Sequence, residues 1–268
     1  MNGEENLGKE TGGDKDMKKT RIEWCDSSFN PVTGCRHACP YCYARTMVNR
    51  FSKAVPDGKL HVLDEPVIRD GKADPYPCGF DPTYHRYRLG QIRHMAGWKP
   101  SNIFICSMAD IFGSWVPEEW ITEITGELRK VEKHNYLFLT KNPMRYYELM
   151  STGKLPEDGN FWYGTTVTTG NSPYFFNKGA NTFLSIEPIL EDFELPYSAE
   201  PFYSIDWVII GAETGNRSGK VIPKKEWINN IVECCDKAGI PMFMKDSLIP
   251  IIGEENMRRD MPEGLSVA

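Results

Sequence analysis

Three cysteines lie close together in the segment GCRHACPYCYAR at residues 34–45. Cys35, Cys39 and Cys42 have the spacing Cys-x3-Cys-x2-Cys, and the aromatic Tyr41 directly precedes the last of them. Cysteine thiolates hold iron–sulfur clusters, and three protein ligands on a four-iron cluster leave one iron open. An open iron can bind a cofactor or a substrate, so the motif predicts a 4Fe-4S cluster with a chemical task.

Zinc is the alternative metal, because Cys-x2–4-Cys spacings also form structural zinc sites. A closed zinc site needs four ligands, and Cys25 or His37 could supply the fourth. The cluster is favoured because the motif follows a predicted strand in a long α/β series, whereas zinc modules are usually small. In that interpretation His37 is a loop residue and Cys25 is a buried thiol.

The overall composition is that of a globular protein without a strong charge bias. The 268 residues carry 31 basic and 37 acidic side chains, for a net charge of −6, so a nucleic-acid substrate would need a local basic groove. No apolar run approaches the roughly 20 residues that span a bilayer. Residues 1–19 are predicted to be a disordered tail and lack the apolar core of a secretory signal. The sequence therefore predicts a cytoplasmic protein without membrane contact.

The elements that must position the cysteines follow an α/β pattern. From residue 101 onward, apolar runs alternate with helical patterns, which is typical of βα units around a parallel sheet. With a first strand at Ser28–Thr33, about seven strands are predicted, enough for a complete or partial TIM-like (β/α) barrel. Residues 20–268 would form one domain, with a proline-rich insertion at about 51–99 that is a candidate lid. The later predicted strands are Ile103–Cys106, Tyr136–Leu139, Trp162–Val167, Thr182–Ile186, Trp207–Ile210 and Met242–Met244, and the helices are Pro117–Lys133, Pro143–Met150 and Lys225–Ala238.

Polar residues follow nearly every predicted strand. Ligands of parallel α/β proteins bind at the carboxyl ends of the strands, so we expect these side chains to converge on one cavity. They are Ser107, Asp110, Thr140, Lys141, Thr165, Thr166, Ser185, Glu187, Glu213, Lys245 and Asp246.

The cysteine spacing, with Tyr41 in the aromatic position, resembles the signature of radical S-adenosylmethionine (SAM) enzymes. This resemblance implies a barrel fold in which SAM chelates the open iron and is cleaved to a 5′-deoxyadenosyl radical that abstracts hydrogen from a substrate. It also implies an electron donor such as flavodoxin or ferredoxin. Tyr41 would contact the adenine, and Ser107 and Asp110 occupy the place of the motif that binds the SAM amino group. The predicted cofactor contacts are Tyr41, Ser107, Asp110, Thr166, Glu187 and Glu213, of which the two glutamates could instead hold substrate.

A wider resemblance extends from residue 20 to residue 247. The chain is similar there to an uncharacterised phage-associated, radical-SAM-like family of the phage gene-product-37 type. That family implies no particular reaction. Where its members often carry an acidic residue after the fourth strand, this chain has Thr168 and Thr169. The matching segments are TRIEWCDSSFNPVTGC, FDPTYHRYRL, NIFICSMADIFG, LTKNPMRY, FLSIEPIL, DWVIIGAETG and AGIPMFMKD.

The substrate stays open at this level. The ending YCYAR of the motif also resembles the radical SAM enzymes that repair spore photoproduct in DNA, and Lys141, Arg217 and Lys245 could form a phosphate-binding rim for a nucleotide or nucleic acid. Two other hypotheses remain. One is a zinc-stabilised, non-catalytic binding protein of phage or host origin, and the other is an enzyme that uses the cluster for electron transfer without SAM.

Overall fold

The structure is a computed structural model that describes residues 20–193 and 204–265. The tail predicted at residues 1–19 lies outside the described residues. In chain order, the strands are β1 (Ser27–Phe29), β2 (Val32–Thr33), β3 (His61–Leu63), β4 (Ile68–Arg69), β5 (Lys72–Ala73), β6 (Thr83–His85), β7 (Asn102–Ile105), β8 (Asn135–Thr140), β9 (Phe161–Val167), β10 (Asn181–Ile186), β11 (Trp207–Ile210) and β12 (Met242–Met244). The α-helices are α1 (Tyr43–Phe51), α2 (Ile92–Met95), α3 (Glu118–Leu128), α4 (Met144–Ser151), α5 (Lys225–Ala238) and α6 (Ile249–Ile252).

Seven parallel strands form the main sheet, in the order β1-β7-β8-β9-β10-β11-β12. Strands β7, β11 and β12 are buried along their whole length, which explains their continuous apolar sequences. Since β1 and β12 are opposite edges that do not pair, the sheet is a half-barrel and not a closed barrel. The predicted α/β barrel is thus confirmed in its partial form.

Trp24 shows how strongly the sheet curls. Its ring lies 4.7 Å from that of Phe104 on β7 and 6.2 Å from that of Trp207 on β11. Neighbouring strands are about 4.8 Å apart, so strands β7 and β11 would be about 19 Å apart in a flat sheet. The inner face is therefore concave and filled by aromatic rings at the bottom, while the helices cover the outer face.

The segment before β1 crosses the open side of the half-barrel. The Glu23 carboxylate accepts hydrogen bonds from the Asp246 backbone at 2.7 Å and from Arg259 at 3.2 Å. At the other end of this segment, Asp26 accepts one from the Asn102 backbone at 2.7 Å. Residues 20–26 thereby connect the two edges of the sheet.

The first predicted strand, Ser28–Thr33, is wrong as a single element. It consists of β1, which pairs with β7, and β2, which pairs with β6 in a separate three-stranded sheet. The chain changes sheets at Asn30, whose side-chain oxygen accepts the backbone N–H of Met108 at 3.0 Å. Residues 51–99 contain the rest of that small sheet and the β4–β5 hairpin. In the described part of the chain, no helix has the length and apolarity needed to cross a membrane.

Candidate metal and cofactor site

A cavity of about 760 Å³ opens at the carboxyl ends of the main strands. The three motif cysteines lie in its wall, and so do most of the predicted strand-end residues. Arg217 is not among the described residues that line it. The predicted site residues that the structure brings together here are Cys35, Cys39, Tyr41, Cys42, Ser107, Asp110, Lys141, Thr166, Glu187, Glu213 and Lys245.

Backbone hydrogen bonds hold the start of the cysteine loop in place. The Gly34 N–H donates to the Met108 carbonyl at 3.0 Å, and the Cys35 N–H donates to the Phe80 carbonyl at 3.3 Å. The Cys35 carbonyl in turn accepts a hydrogen bond from the Arg45 guanidinium at 3.0 Å. Two segments distant in sequence and helix α1 therefore fix the position from which Cys35 projects.

The end of the cysteine loop is the start of helix α1. Cys42 is the N-cap residue, and its sulfur accepts a hydrogen bond from the Arg45 N–H at 3.3 Å. The Cys42 N–H donates to the Cys39 carbonyl at 3.2 Å, which closes the turn between these two cysteines. The positive end of the α1 dipole thus lies beside the cysteines, where negative charge is favoured.

Asp110 links the cysteine loop to the ends of two strands. Its Oδ2 accepts hydrogen bonds from His37 Nε2 at 2.7 Å and from the Lys141 N–H at 2.9 Å. Its Oδ1 accepts from the Thr140 hydroxyl at 2.7 Å and from the Phe112 N–H at 3.0 Å. Four protein donors therefore occupy the carboxylate that the sequence predicts as a SAM contact. His37, interpreted from the sequence as a loop residue, is one of the four.

Two residues beside the cavity have a left-handed backbone, although neither is glycine. The φ angle is 55° at Ala38 in the cysteine loop and 62° at Cys106 after β7. Such conformations are unfavourable for residues with a Cβ atom and are maintained by the surrounding structure. Both loops are therefore held in specific, uncommon shapes next to the sulfur atoms.

Lys141 and Tyr41 lie together at the cysteine end of the cavity. The Lys141 ammonium is 5.6 Å from the centre of the Tyr41 ring. Burial lowers the pKa of Lys141, and the nearby Cys39 and Asp110 partly offset this effect. Burial likewise raises the pKa of Tyr41 to about 12, with Cys39 and Thr168 as its neighbours. Tyr41 thus reaches from the cysteine loop toward the residues that follow β9.

The arrangement of the sulfurs bears on which metal they fit. Burial raises the pKa of the Cys35 thiol to about 12, with Asp110 and the two other motif cysteines adding to the effect. Among the described residues, the only three potential ligands whose ligand atoms all lie within 4.8 Å of one another are Asp57, His61 and Asp81. At least one pair of the motif sulfurs is therefore more than 4.8 Å apart. Thiolates around one zinc ion lie at most about 4.6 Å apart, so the spacing fits separate irons of a cluster better.

The opposite end of the cavity carries Glu187 and Lys245. The Lys245 ammonium lies 3.1 Å from Glu187 Oε2. Burial opposes the charge on Lys245, but Glu187 and Glu23 outweigh it and raise the pKa of Lys245. Glu187 Oε1 and the neighbouring Ser185 hydroxyl are buried and have no hydrogen-bond partner in the described part of the chain. This end therefore presents polar atoms to the cavity.

Glu213 and Arg217, both predicted as site residues, are bonded to each other. Arg217 Nε donates to Glu213 Oε1 at 2.6 Å, and Arg217 Nη2 donates to Oε2 at 2.8 Å. This bidentate pairing lowers the pKa of Glu213, which is only 4% exposed. The guanidinium also donates to the Ser218 and Gly219 carbonyls. Arg217 thus shapes the loop after β11 and does not face the cavity.

Sequence reasoning missed several residues that complete the site. Trp24 and Phe104 line the bottom of the cavity, and Arg45 supports the cysteine loop through Cys35. Arg45 stands three residues after the last motif cysteine, a position that could have suggested a role. Trp24 precedes the first strand, so no strand-end pattern could have indicated it.

Comparison with known proteins places the chain in a family. Residues 19–249 match the family described as "Protein of unknown function (DUF5131)", and the chain belongs to it. No curated protein matches the chain.

Among solved structures, the chain is similar to a mutant spore photoproduct lyase with bound AdoMet and dinucleoside spore photoproduct. The identity is 10%, the TM-score is 0.42, and the match covers 83% of this chain and 64% of that one. A second mutant of spore photoproduct lyase is 10% identical with a TM-score of 0.45, over 86% of this chain and 79% of that one. The chain thus spans slightly less than two thirds of the first of these lyases.

Proposed function

We propose that this protein is a radical SAM-type iron–sulfur enzyme of the cytoplasm. The observation that carries the proposal is the position of Cys35, Cys39 and Cys42. They lie on a loop that follows the first strand of the parallel half-barrel and that backbone hydrogen bonds hold in place. All three line the cavity at the carboxyl ends of the strands. Ligand sites in parallel α/β proteins lie at this edge of the sheet. A protein electron donor such as flavodoxin or ferredoxin would supply reducing equivalents.

The residues present fit a 4Fe-4S cluster with SAM. Three free thiols are available as ligands, and at least one pair of their sulfurs is more than 4.8 Å apart, which is wider than two ligands on a single zinc ion. When bound, the cluster and SAM together supply a 5′-deoxyadenosyl radical that abstracts a hydrogen atom from the substrate. The protein itself supplies placement and the exclusion of water.

Asp110, Lys141 and Tyr41 have separate roles in this site. Asp110 holds the cysteine loop through His37 and holds the end of β8 through the Lys141 backbone. The Lys141 ammonium places positive charge beside the thiolates or a bound carboxylate group. The Tyr41 ring offers a flat face between the cysteine loop and Thr168, where an adenine could stack.

Anaerobic reconstitution tests the proposal. Incubation with iron and sulfide should yield a brown protein with about four irons and four sulfides per chain. After reduction, it should convert SAM to 5′-deoxyadenosine, which is measured by mass spectrometry. Alanine at Cys35, Cys39 or Cys42 should abolish both properties. The matched controls Cys25→Ala and Cys78→Ala should retain them, because neither thiol lies in the cavity wall.

Two results would contradict the proposal in different ways. A colourless protein with one zinc per chain, lost in Cys25→Ser, would indicate the zinc-stabilised binding protein of phage or host origin, and chelation should then unfold it. A fully loaded cluster that binds no SAM would indicate electron transfer alone.

A further inference from the structure

Two buried polar atoms at one end of the cavity have no hydrogen-bond partner among the described residues. Ser185 is 1% exposed, and its hydroxyl oxygen forms no hydrogen bond with the described residues. The same holds for Oε1 of Glu187, two residues further along the chain. Both residues line the cavity. Since buried polar atoms in proteins are nearly always hydrogen-bonded, their position indicates that a ligand supplies the missing partners.

The two lysines that line the cavity, Lys141 and Lys245, have different charged neighbours. The charged neighbours of Lys245 are Glu187 and Glu23, with Cys25 adding a smaller effect. Those of Lys141 are instead the three motif cysteines and Asp110. The cavity therefore has two lysines at two distinct positions. The sheet order agrees, because Ser185 and Lys245 belong to β10 and the end of β12, whereas Lys141 follows β8.

The chemistry of the second end defines what it can bind. Glu187 is already paired with Lys245 at 3.1 Å, so their charges balance each other. The pair therefore favours a ligand group that carries no net charge. Glu187 Oε1 can accept an N–H, the Lys245 ammonium can donate to a carbonyl oxygen or a ring nitrogen, and the Ser185 hydroxyl can do either. A suitable ligand therefore presents a hydrogen-bond donor beside an acceptor.

The cavity wall also contains aromatic rings. Trp24 and Phe104 both line the cavity, and their ring centres are 4.7 Å apart. Leu139 contributes a further apolar surface. Aromatic walls favour a planar ligand body, since stacking and apolar burial both stabilise it. A planar body with a donor beside an acceptor on its edge is the description of a nucleobase.

We propose that Ser185, Glu187 and Lys245 form the substrate subsite and that this subsite binds an amino-bearing nucleobase. The assignment to substrate rests on the proposed function, in which the adenine of SAM lies at Tyr41 on the other side of the cavity. Adenine, cytosine and guanine offer the Glu187 carboxylate an exocyclic amino group, whereas thymine offers only a ring N–H between two carbonyl oxygens, which the carboxylate repels. The proposed enzyme therefore acts on a nucleoside, a nucleotide or a nucleic acid.

Binding measurements on the full chain test this subsite. Isothermal titration of adenosine, cytidine, guanosine and thymidine is carried out on the cluster-loaded and the metal-free protein. At least one amino-bearing nucleoside should bind more tightly than thymidine. Glu187→Gln should weaken it by about tenfold or more, because a hydrogen bond to a charged acceptor is lost. Ser185→Ala, which removes only the hydroxyl group, should weaken nucleoside binding less. It is the variant to test if Glu187→Gln does not fold.

Glu233→Gln is the matched control, since Glu233 pairs with Lys237 on the exposed face of α5 and should leave binding unchanged. SAM binding and iron content are measured on the same samples and report on the proposed function separately. The subsite assignment is overturned if no nucleoside binds, or if Glu187→Gln leaves nucleoside binding intact. It is also overturned if Glu187→Gln weakens SAM and not the nucleosides, because the subsite would then hold the adenine of the cofactor.

Discussion

His37 and Asp110 lie 73 positions apart in the chain and share a hydrogen bond of 2.7 Å. The contact joins the loop that carries the cysteines to the loop that follows β7. The same carboxylate oxygen also accepts the Lys141 N–H at 2.9 Å. One atom therefore links the cysteine loop, the loop after β7 and the end of β8.

Asp110→Asn should therefore disturb the site more than the fold. The amide of asparagine cannot accept hydrogen bonds at both positions, so the backbone N–H of either Lys141 or Phe112 loses its acceptor. We expect a loss of about 1–3 kcal/mol in the free energy of unfolding, together with lower iron retention after reconstitution. Urea unfolding and iron analysis measure the two effects. Asp206→Asn is the control, since Asp206 directly precedes β11 and accepts the N–H of Thr182 in β10. Normal iron loading in Asp110→Asn would contradict the expectation.

Gly34 at the start of the cysteine loop should tolerate no side chain. Its φ angle is +84°, and a Cβ atom there would lie 2.2 Å from the Asp81 carbonyl oxygen. Gly58 has a similar φ of +76° but open space around it. Gly58→Ala should cost only the left-handed conformation, about 1–2 kcal/mol, whereas Gly34→Ala should cost clearly more and reduce iron loading. Thermal and urea unfolding compare the two variants, and equal losses would show that the close contact has no energetic effect.

The pairing of Glu213 with Arg217 predicts a dependence of stability on pH. Hydrogen bonding to Arg217 lowers the pKa of Glu213 in the fold, so the pair stabilises the protein above the pKa of an unfolded glutamate, about 4.3. This contribution is lost as the pH falls below that value toward the folded pKa. In Arg217→Met, the buried carboxylate is unpaired, and the protein should be less stable at pH 7. The difference from wild type should shrink between pH 5 and pH 3 in urea unfolding, and a constant difference would exclude this pairing as its source.

His85 should make the stability of the protein depend on pH in a higher range than Glu213 does. Burial, with a smaller effect of Arg88, lowers its pKa to about 3, and it shares a hydrogen bond of 2.9 Å with Thr33. Below about pH 6.5 the unfolded histidine binds a proton that the folded one does not, so stability should fall by up to about 1.4 kcal/mol per pH unit. His85→Gln removes this proton. Its unfolding free energy should change less than that of wild type between pH 7 and pH 5, and parallel curves would be the opposing result.

Much of the main sheet was predictable from sequence, for a physical reason. Strands β8 to β12 lie between covered faces, so they appear as continuous apolar runs, and their predicted bounds are within one residue of the observed ones. The division between β1 and β2 was not predictable, because the break depends on the Asn30 side chain bonding to Met108. Helix α3 ends at Leu128, before the predicted Lys133, since the chain already turns toward β8.

The residues that line the candidate site were largely predictable from sequence, but the hydrogen bonds and ion pairs among them were not. Strand-end polar residues were expected to converge, and most of them line the cavity. The sequence could not show that Arg217 faces Glu213 or that four donors surround Asp110, because both depend on how loops distant from the motif fold back. That the Ser185 hydroxyl has no hydrogen-bond partner in the described part of the chain likewise depends on the folded cavity and has no signal in the sequence.

The anchoring of the cysteine loop determines the order in which the finished protein can be assembled. Its supports at Phe80, Met108 and Asp110 belong to segments that are made after the cysteines during synthesis. The loop therefore acquires its shape only after the chain as far as Asp110 has been made and has folded against it. In the proposed cluster enzyme, metal insertion would then follow the folding of this loop, unlike in small zinc modules, where the metal itself drives folding.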